Sequence, residues 1–416
     1  MTAPVSVLLV AYGGGHISMV LAVMKALRKR HPEIKLELIA LTTAYSAALA
    51  AGEKPWGYAD LQHLADPAFA NEWGQKLAPA KRHPAVSEEE TRAYVGVNFW
   101  DLVQQHGMPR ALTLHAQKER FAYHPLHFFR RVLAHFRPNV VVATNSPRSE
   151  EAALQAAIEA GTPTLSMTDL FVRATDPYCA RNFYADRITV LNGNGKDTLQ
   201  ACGLPANKVL VTGNPAFDGL ASRELRTQAV QWRGSLGWAK KTVILWAGHL
   251  DDYTSVNPDP LAATAYPLEV EAELRRWVDA SEEHALIVRY HPNEMHLFAA
   301  GMPHPRVFLS TRAQHVHQAV LAADLVVVQT STVGLEAAVA GKPVIAMVNS
   351  PHSKRVNFSY EKLGVAYAAH EISDLPSVIE HALAAGCFAP ELAGRGASAA
   401  IIADEIFLLA LGEPDK

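Results

Sequence analysis

Cysteine is scarce: three occur in 416 residues, Cys179, Cys202 and Cys387, far apart and without a Cys-x-x-Cys pair. That excludes a disulfide-braced scaffold and a thiolate zinc site, and fits a reducing cytoplasm. Long apolar runs are missing as well, none nearing the roughly 20 residues a membrane-spanning helix needs. The run at 5–10 has no basic leader and ends in glycines, so it reads as a buried strand, not a secretion signal. Excess charge is also lacking. With 38 Lys and Arg against 41 Asp and Glu, the net charge is −3, which gives no electrostatic footprint for a nucleic acid. Membrane contact is at most peripheral. No Asp-x-Asp pair occurs, Asp251 and Asp252 being adjacent, and no solenoid repeat or low-complexity tract interrupts the chain.

What is present is the alternation of short apolar runs with longer stretches of helical period, the pattern of parallel βαβ units. Strands are expected at 5–10, 36–41, 140–143, 164–167, 187–191 and 209–211, then at 242–246, 285–290, 307–309, 325–328 and 344–347. Between the first two, Ile17, Val20, Leu21, Met24 and Leu27 recur at helical spacing. A chain of this length suits two domains of roughly 200 residues. We expect an α/β protein with an N-terminal domain over 1–217, a linker over 218–240, a second domain over 241–393 and a C-terminal helix over 394–416. The stretch 43–120 departs from the βα rhythm and carries Trp56, Trp73 and Trp100; an excursion that long is more often functional than a plain connection.

Chemistry-bearing residues gather where strands end. Gly13, Gly14, Gly15 and His16 follow the first strand and open the first helix. Glycines let backbone approach a ligand, a helix N-terminus offers unpaired N–H groups to an anion, and an imidazole there is placed to take a proton near neutral pH. Alternatively, His16 caps or packs. Thr330, Ser331 and Thr332 follow the strand at 325–328, and Glu336 lies one turn into the next helix. Such hydroxyls suit a pyrophosphate meeting the helix dipole, and such a carboxylate can accept ribose hydroxyls; a well-capped structural helix with a surface glutamate is the other reading. Arg289 and His291 end the strand at 285–290 and can neutralise phosphate, while Gly248 and His249 end the one at 242–246. Asn145 and Arg148 follow the strand at 140–143, and Asp169, a second candidate base or a helix cap, follows the one at 164–167. In doubly wound sheets ligands bind beyond the carboxyl ends of strands, which is where all of these lie. The segment 121–137 mixes Arg130, Arg131 and histidines with a core stripe of Leu126, Phe129, Leu133 and Phe136, as a surface helix would.

The Gly-Gly-Gly-His loop and the run from Glu336 to Gly341 and Pro343 resemble the GT-B glycosyltransferases of the MurG type. Gly213-Asn214-Pro215, within the run 211–218, is similar to the interdomain segment of non-hydrolysing UDP-N-acetylglucosamine 2-epimerases and of capsule-type transferases. The run 290–294, Tyr-His-Pro-Asn-Glu, is similar to the latter group. The epimerases open with a Gly-Thr-Arg-Pro type of loop, which is absent here.

The resemblance implies two Rossmann-like doubly wound parallel-sheet domains facing a cleft. It also implies transfer of a sugar from a nucleotide-sugar, UDP-linked by preference, to a hydroxyl acceptor of the lipid-linked kind. The donor would lie on Gly213, Asn214, Gly248, His249, Arg289, His291, Thr330, Ser331, Thr332 and Glu336. The acceptor would lie by Gly14, Gly15, Asn145 and Arg148, with His16 or Asp169 as base. We expect an inverting reaction with no cofactor and no metal, helix dipoles and Arg289 serving the departing diphosphate. A 2-epimerase acting on the nucleotide-sugar alone and a non-catalytic sugar-nucleotide binder are the alternatives.

Overall fold

Every apolar run expected as a strand lies in one of two six-stranded, all-parallel sheets. The computed structural model describes residues 5–79, 83–174, 179, 185–251, 253, 258–298, 301–389, 392 and 396–412. Unit 1 comprises Met1–Ala216 with Ala397–Lys416, and unit 2 comprises Phe217–Gly396.

Unit 1 holds β1 (Ser6–Tyr12), β2 (Lys35–Leu41), β3 (Val140–Thr144), β4 (Thr164–Met167), β5 (Arg187–Val190) and β6 (Val209–Val211), in the order β2-β1-β3-β4-β5-β6. Alternation along β1 sends its side chains to two cores. Val7, Leu9 and Ala11 pack under the helix Gly14–Arg30, through Val20, Val23, Met24 and Leu27, and under the final helix Ser398–Leu411. That helix is tied to this unit by Arg187, whose Nε donates to Glu405 Oε1 at 2.6 Å, and by a two-pronged Arg30–Asp404 pair.

Leu8 and Val10 face the other way, into a core built by the long departure from βα rhythm. It is helical: Thr43–Ala50, Tyr58–Leu61, Pro67–Leu77, Glu88–His106 and Met108–Lys118, followed by Leu126–Phe136. Its Tyr58, Phe99, Trp100, Phe128 and Phe129 are buried against the sheet. Gly96 lets the helix Glu88–His106 cross Pro67–Leu77 so closely that a side chain would strike the Ala70 carbonyl. In Leu126–Phe136, Phe128, Phe129, Val132 and Leu133 are buried, so this helix turns its apolar face inward. Among the described residues no helix is long and apolar enough to cross a membrane.

Unit 2 holds β7 (Thr242–Gly248), β8 (His284–Tyr290), β9 (Val307–Leu309), β10 (Leu325–Val328), β11 (Val344–Met347) and β12 (Tyr367–Ala369), in the order β12-β11-β10-β7-β8-β9. From β7 the chain runs outward in one direction, returns, and continues from β10 in the other. The β7–β10 seam is therefore the topological switch point at which doubly wound sheets open a crevice for ligands. Trp246 and its neighbours pack beneath the helices Ala265–Asp279 and Leu375–Ala385.

Candidate functional site

At the unit 2 switch point, the carboxyl ends of β7, β8 and β10 surround a cavity of about 570 Å³. Gly248, His249, Arg289, His291, Thr330, Ser331, Thr332 and Glu336 all line it. Gly248 is there for packing: a side chain would enter the Trp246 and Tyr290 rings. His249 bridges the seam, its N–H donating to Gln329 Oε1 at 3.2 Å and its Nε2 lying 3.0 Å from Thr330 Oγ1. Gln329 in turn donates to the buried Asp251, at 2.7 Å. Arg289 is anchored through Nη1 to Ser310 Oγ at 2.7 Å and to the carbonyls of Thr311 and Gln314. His291 stands half exposed, 3.9 Å from Glu294.

Glu336 is the anomaly of this wall. It is 8% exposed, and its Oε2 accepts no hydrogen bond from any described residue. The nearest cation-forming group, His317 Nε2, is 3.5 Å away. That imidazole is pushed down to about 4 by burial and by His315, so it is neutral and adds no charge. Burial pushes the Glu336 carboxyl up to about 7, against the opposing pull of Arg289. Buried polar groups are normally paired, and an orphaned carboxylate on a cavity wall is a place for a ligand's hydroxyls. The helix Val333–Val339 receives no side-chain cap bond from Thr332, while Ser331 Oγ accepts from the Val333 N–H at 3.4 Å.

In unit 1 the order reverses between β1 and β3, and chemistry collects at that seam. Gly13 and Gly14 take φ of 58° and 57°, left-handed values that favour glycine, and Gly14 and Gly15 face open space. His16 sits among acids. Its Nδ1 contacts Thr144 Oγ1 and lies 3.6 Å from Glu150, while its Nε2 is 3.3 Å from Asp169 Oδ2. Thr144 donates to Glu150 Oε2 at 2.9 Å, and Tyr12 N donates to Glu150 Oε1 at 3.0 Å. Burial alone would lower the imidazole's pKa. The bond to Asp169 and the bond and charge of Glu150 outweigh it and hold His16 at about 10. Burial would likewise raise Asp169, but the bond to His16 prevails and holds its carboxyl below the usual range. The pair is thus imidazolium and carboxylate at neutral pH. A proton-accepting His16 does not fit these surroundings, because the ring is already charged; Asp169, its side chain 30% exposed, keeps an unprotonated oxygen.

Asn145 Oδ1 accepts from the Asp169 N–H at 3.3 Å, and Asn214 Nδ2 donates to the Asp169 carbonyl at 2.6 Å. Gly213 and Asn214, expected on the donor side, belong to unit 1, where Asn214 pins Asp169 and Gly213 donates its N–H to the Val190 carbonyl. Arg148 packs over the Tyr12 ring, 5.1 Å from its centroid. The sequence does not single out Glu150 or Tyr94 in unit 1, nor a place for Asp251, His317 and His352 in unit 2. Glu150, wholly buried, carries only the faint mark of an acid in a helix's first turn. Nothing local ties it to His16, 134 positions earlier in the chain.

A family model described as CDP-Glycerol:Poly(glycerophosphate) glycerophosphotransferase matches residues 185–375, less than half of the chain and most of unit 2. No curated protein matches the chain in sequence. Among solved structures, UDP-GlcNAc 2-epimerase from Methanocaldococcus jannaschii is 13% identical with a TM-score of 0.60, over 97% of this chain and 99% of that one. MnaA of S. aureus, solved with UDP, is 14% identical with a TM-score of 0.57, over 98% and 97%. The wall teichoic acid polymerase TagF, as H548A, is 12% identical with a TM-score of 0.54, over 99% and 91%. At such identities the likeness is one of fold alone, and that fold, two domains each built on a doubly wound parallel sheet, is the GT-B type expected from the sequence.

Proposed function

We propose that the chain is a transferase that takes a group from a nucleoside-diphosphate-linked donor on unit 2 and passes it to a hydroxyl acceptor on unit 1, with glycosyl transfer as the reaction. One observation carries this reading: the cavity of about 570 Å³ at the unit 2 switch point, with the unpaired, buried Glu336 oxygen in its wall. The donor's ribose hydroxyls donate to Glu336. Its diphosphate lies by Thr330, Ser331 and Thr332, with Arg289 supplying positive charge.

In unit 1, Asp169 accepts the proton of the acceptor hydroxyl, and the charged His16 orients Asp169 and keeps it ionised. The acceptor oxygen bonds to the sugar's anomeric carbon as that carbon's bond to the diphosphate oxygen breaks. The nucleoside diphosphate leaves with the electron pair, the configuration inverts, and no metal is required. The family match of unit 2 favours a second reading, transfer of a glycerophosphate group. There the diphosphate's own P–O bond breaks, so a nucleoside monophosphate leaves instead.

The released nucleotide separates the readings. The protein is incubated with UDP-GlcNAc or CDP-glycerol, with and without a panel of hydroxyl acceptors, and the nucleotides are resolved by anion-exchange chromatography. Acceptor-dependent release of a nucleoside diphosphate is the expected result. A monophosphate product establishes the second reading. Interconversion of C2 epimers without acceptor, or no product from any pair, overturns the transferase.

A further inference from the structure

We propose that a second cavity, wholly within unit 1, binds an oxyanion carried on an aromatic body. That this molecule is the acceptor rests on the function proposed above; that it binds does not. The cavity, about 560 Å³, opens beside the ends of β1 and β2 and is walled by the helical excursion, with Tyr12, Tyr94, Tyr123, His115, Leu77 and Val95 on its lining. Its size suits one small molecule, and its rings suit a flat apolar body.

Two buried donors nearby lack acceptors. Tyr94 lines the cavity and is 8% exposed, and its hydroxyl has no hydrogen-bond partner among the described residues. Arg148 Nε is equally without one, and its guanidinium lies between the Tyr12 ring, at 5.1 Å, and the Phe121 ring, at 5.7 Å. Burial pushes the Tyr94 phenol well above its ordinary pKa, so it stays a donor. Arg148 stands behind the lining residue Tyr12, so a ligand oxygen that accepts from the Tyr94 hydroxyl completes this wall, and a negatively charged one is also drawn by the Arg148 guanidinium. The exposed Glu119 and Arg120 on the lining offset each other.

Backbone strain is concentrated in the same place. Thr42 and Glu119, both on the lining, hold φ at 56° and 47°, and Arg148 holds 73°, in the left-handed region that side chains rarely adopt. Such strain persists where the surroundings over-determine it, and it collects at ligand sites.

The test is titration calorimetry with the full chain and four probes. These are 2-naphthyl phosphate and 2-naphthoate, which carry both features, 2-naphthol without the anion, and inorganic phosphate without the body. Saturable binding of one or both naphthyl anions, at least about tenfold tighter than 2-naphthol or inorganic phosphate, is expected. The preferred anion identifies phosphate or carboxylate as the natural group. Arg148→Met should weaken binding about tenfold or more and Tyr94→Phe severalfold, with Glu336→Gln without effect. Tyr94→Phe removes a single oxygen and keeps the test decisive if Arg148→Met does not fold. Equal binding of 2-naphthol, or undiminished binding in both variants, overturns the proposal. UDP titrated into the same samples reports separately on the unit 2 site, so loss of either reading is visible without the other.

Discussion

Two carboxyl groups and one imidazole, Asp169, Glu336 and His16, bear the proposed reaction, and each has a pKa displaced by its surroundings. Replacing Asp169 by Asn removes the proposed proton acceptor, so kcat should fall by roughly 10²–10⁴, with a lower melting temperature at neutral pH because His16 loses its carboxylate partner. An unchanged kcat would return the role of base to another group. His16 is raised from 6.5 to about 10 in the folded chain. Its stabilisation is therefore complete below the unfolded value and is lost as pH rises through about 10. Melting temperature should consequently fall between pH 7 and pH 10 in the wild type, and more steeply than in His16→Gln. Glu336 titrates at about 7, and ribose hydroxyls bond best to its ionised form. Affinity for a nucleotide-sugar, whose diphosphate diester does not ionise in this range, should therefore rise from pH 6 to pH 8. Calorimetry on Glu336→Gln should give a flat profile.

Elements were far more legible than contacts. Parallel strands buried on both faces read as continuous apolar runs, which is why 325–328 and 344–347 match β10 and β11 to the residue. β12 escaped because Tyr367–Ala369 has no branched apolar residue, unlike the equally short edge strands β6 and β9, which read Val-Leu-Val and Val-Phe-Leu. The stretch 43–120 could be seen to break the βα rhythm. Its helices do more than shape a pocket, since with Leu126–Phe136 and Ser149–Glu159 they build the core on one face of the unit 1 sheet. Their closest crossing depends on Gly96, where even a methyl group would meet the Ala70 carbonyl. Gly96→Ala should cost about 1–3 kcal/mol of unfolding free energy by urea denaturation, and no loss would mean that the two helices separate freely.

At the scale of the whole molecule, strand order made the candidate sites recognisable. Sequence position alone put His16, Asp169, Gly248, Thr330 and Glu336 near strand ends, but the sheet orders in units 1 and 2 are what bring them to two switch points. The pairing of His16 with Glu150 and the orphaned oxygen of Glu336 were invisible in the sequence, because both depend on burial by residues more than a hundred positions away or on a missing partner. The bond from Asn214 to the Asp169 carbonyl has the same origin, because the order of β4, β5 and β6 brings the two residues together. In the proposed function the unit 2 cavity holds a nucleoside diphosphate with its ribose on Glu336. The most direct measurement is the melting temperature of the wild type and of Glu336→Ala across a concentration series of UDP, CDP, GDP and TDP. A ligand of the native state must raise it. We predict a saturable rise with at least one nucleotide in the wild type, strongly reduced in Glu336→Ala; no rise with any of them, or an equal rise in both proteins, would contradict the account.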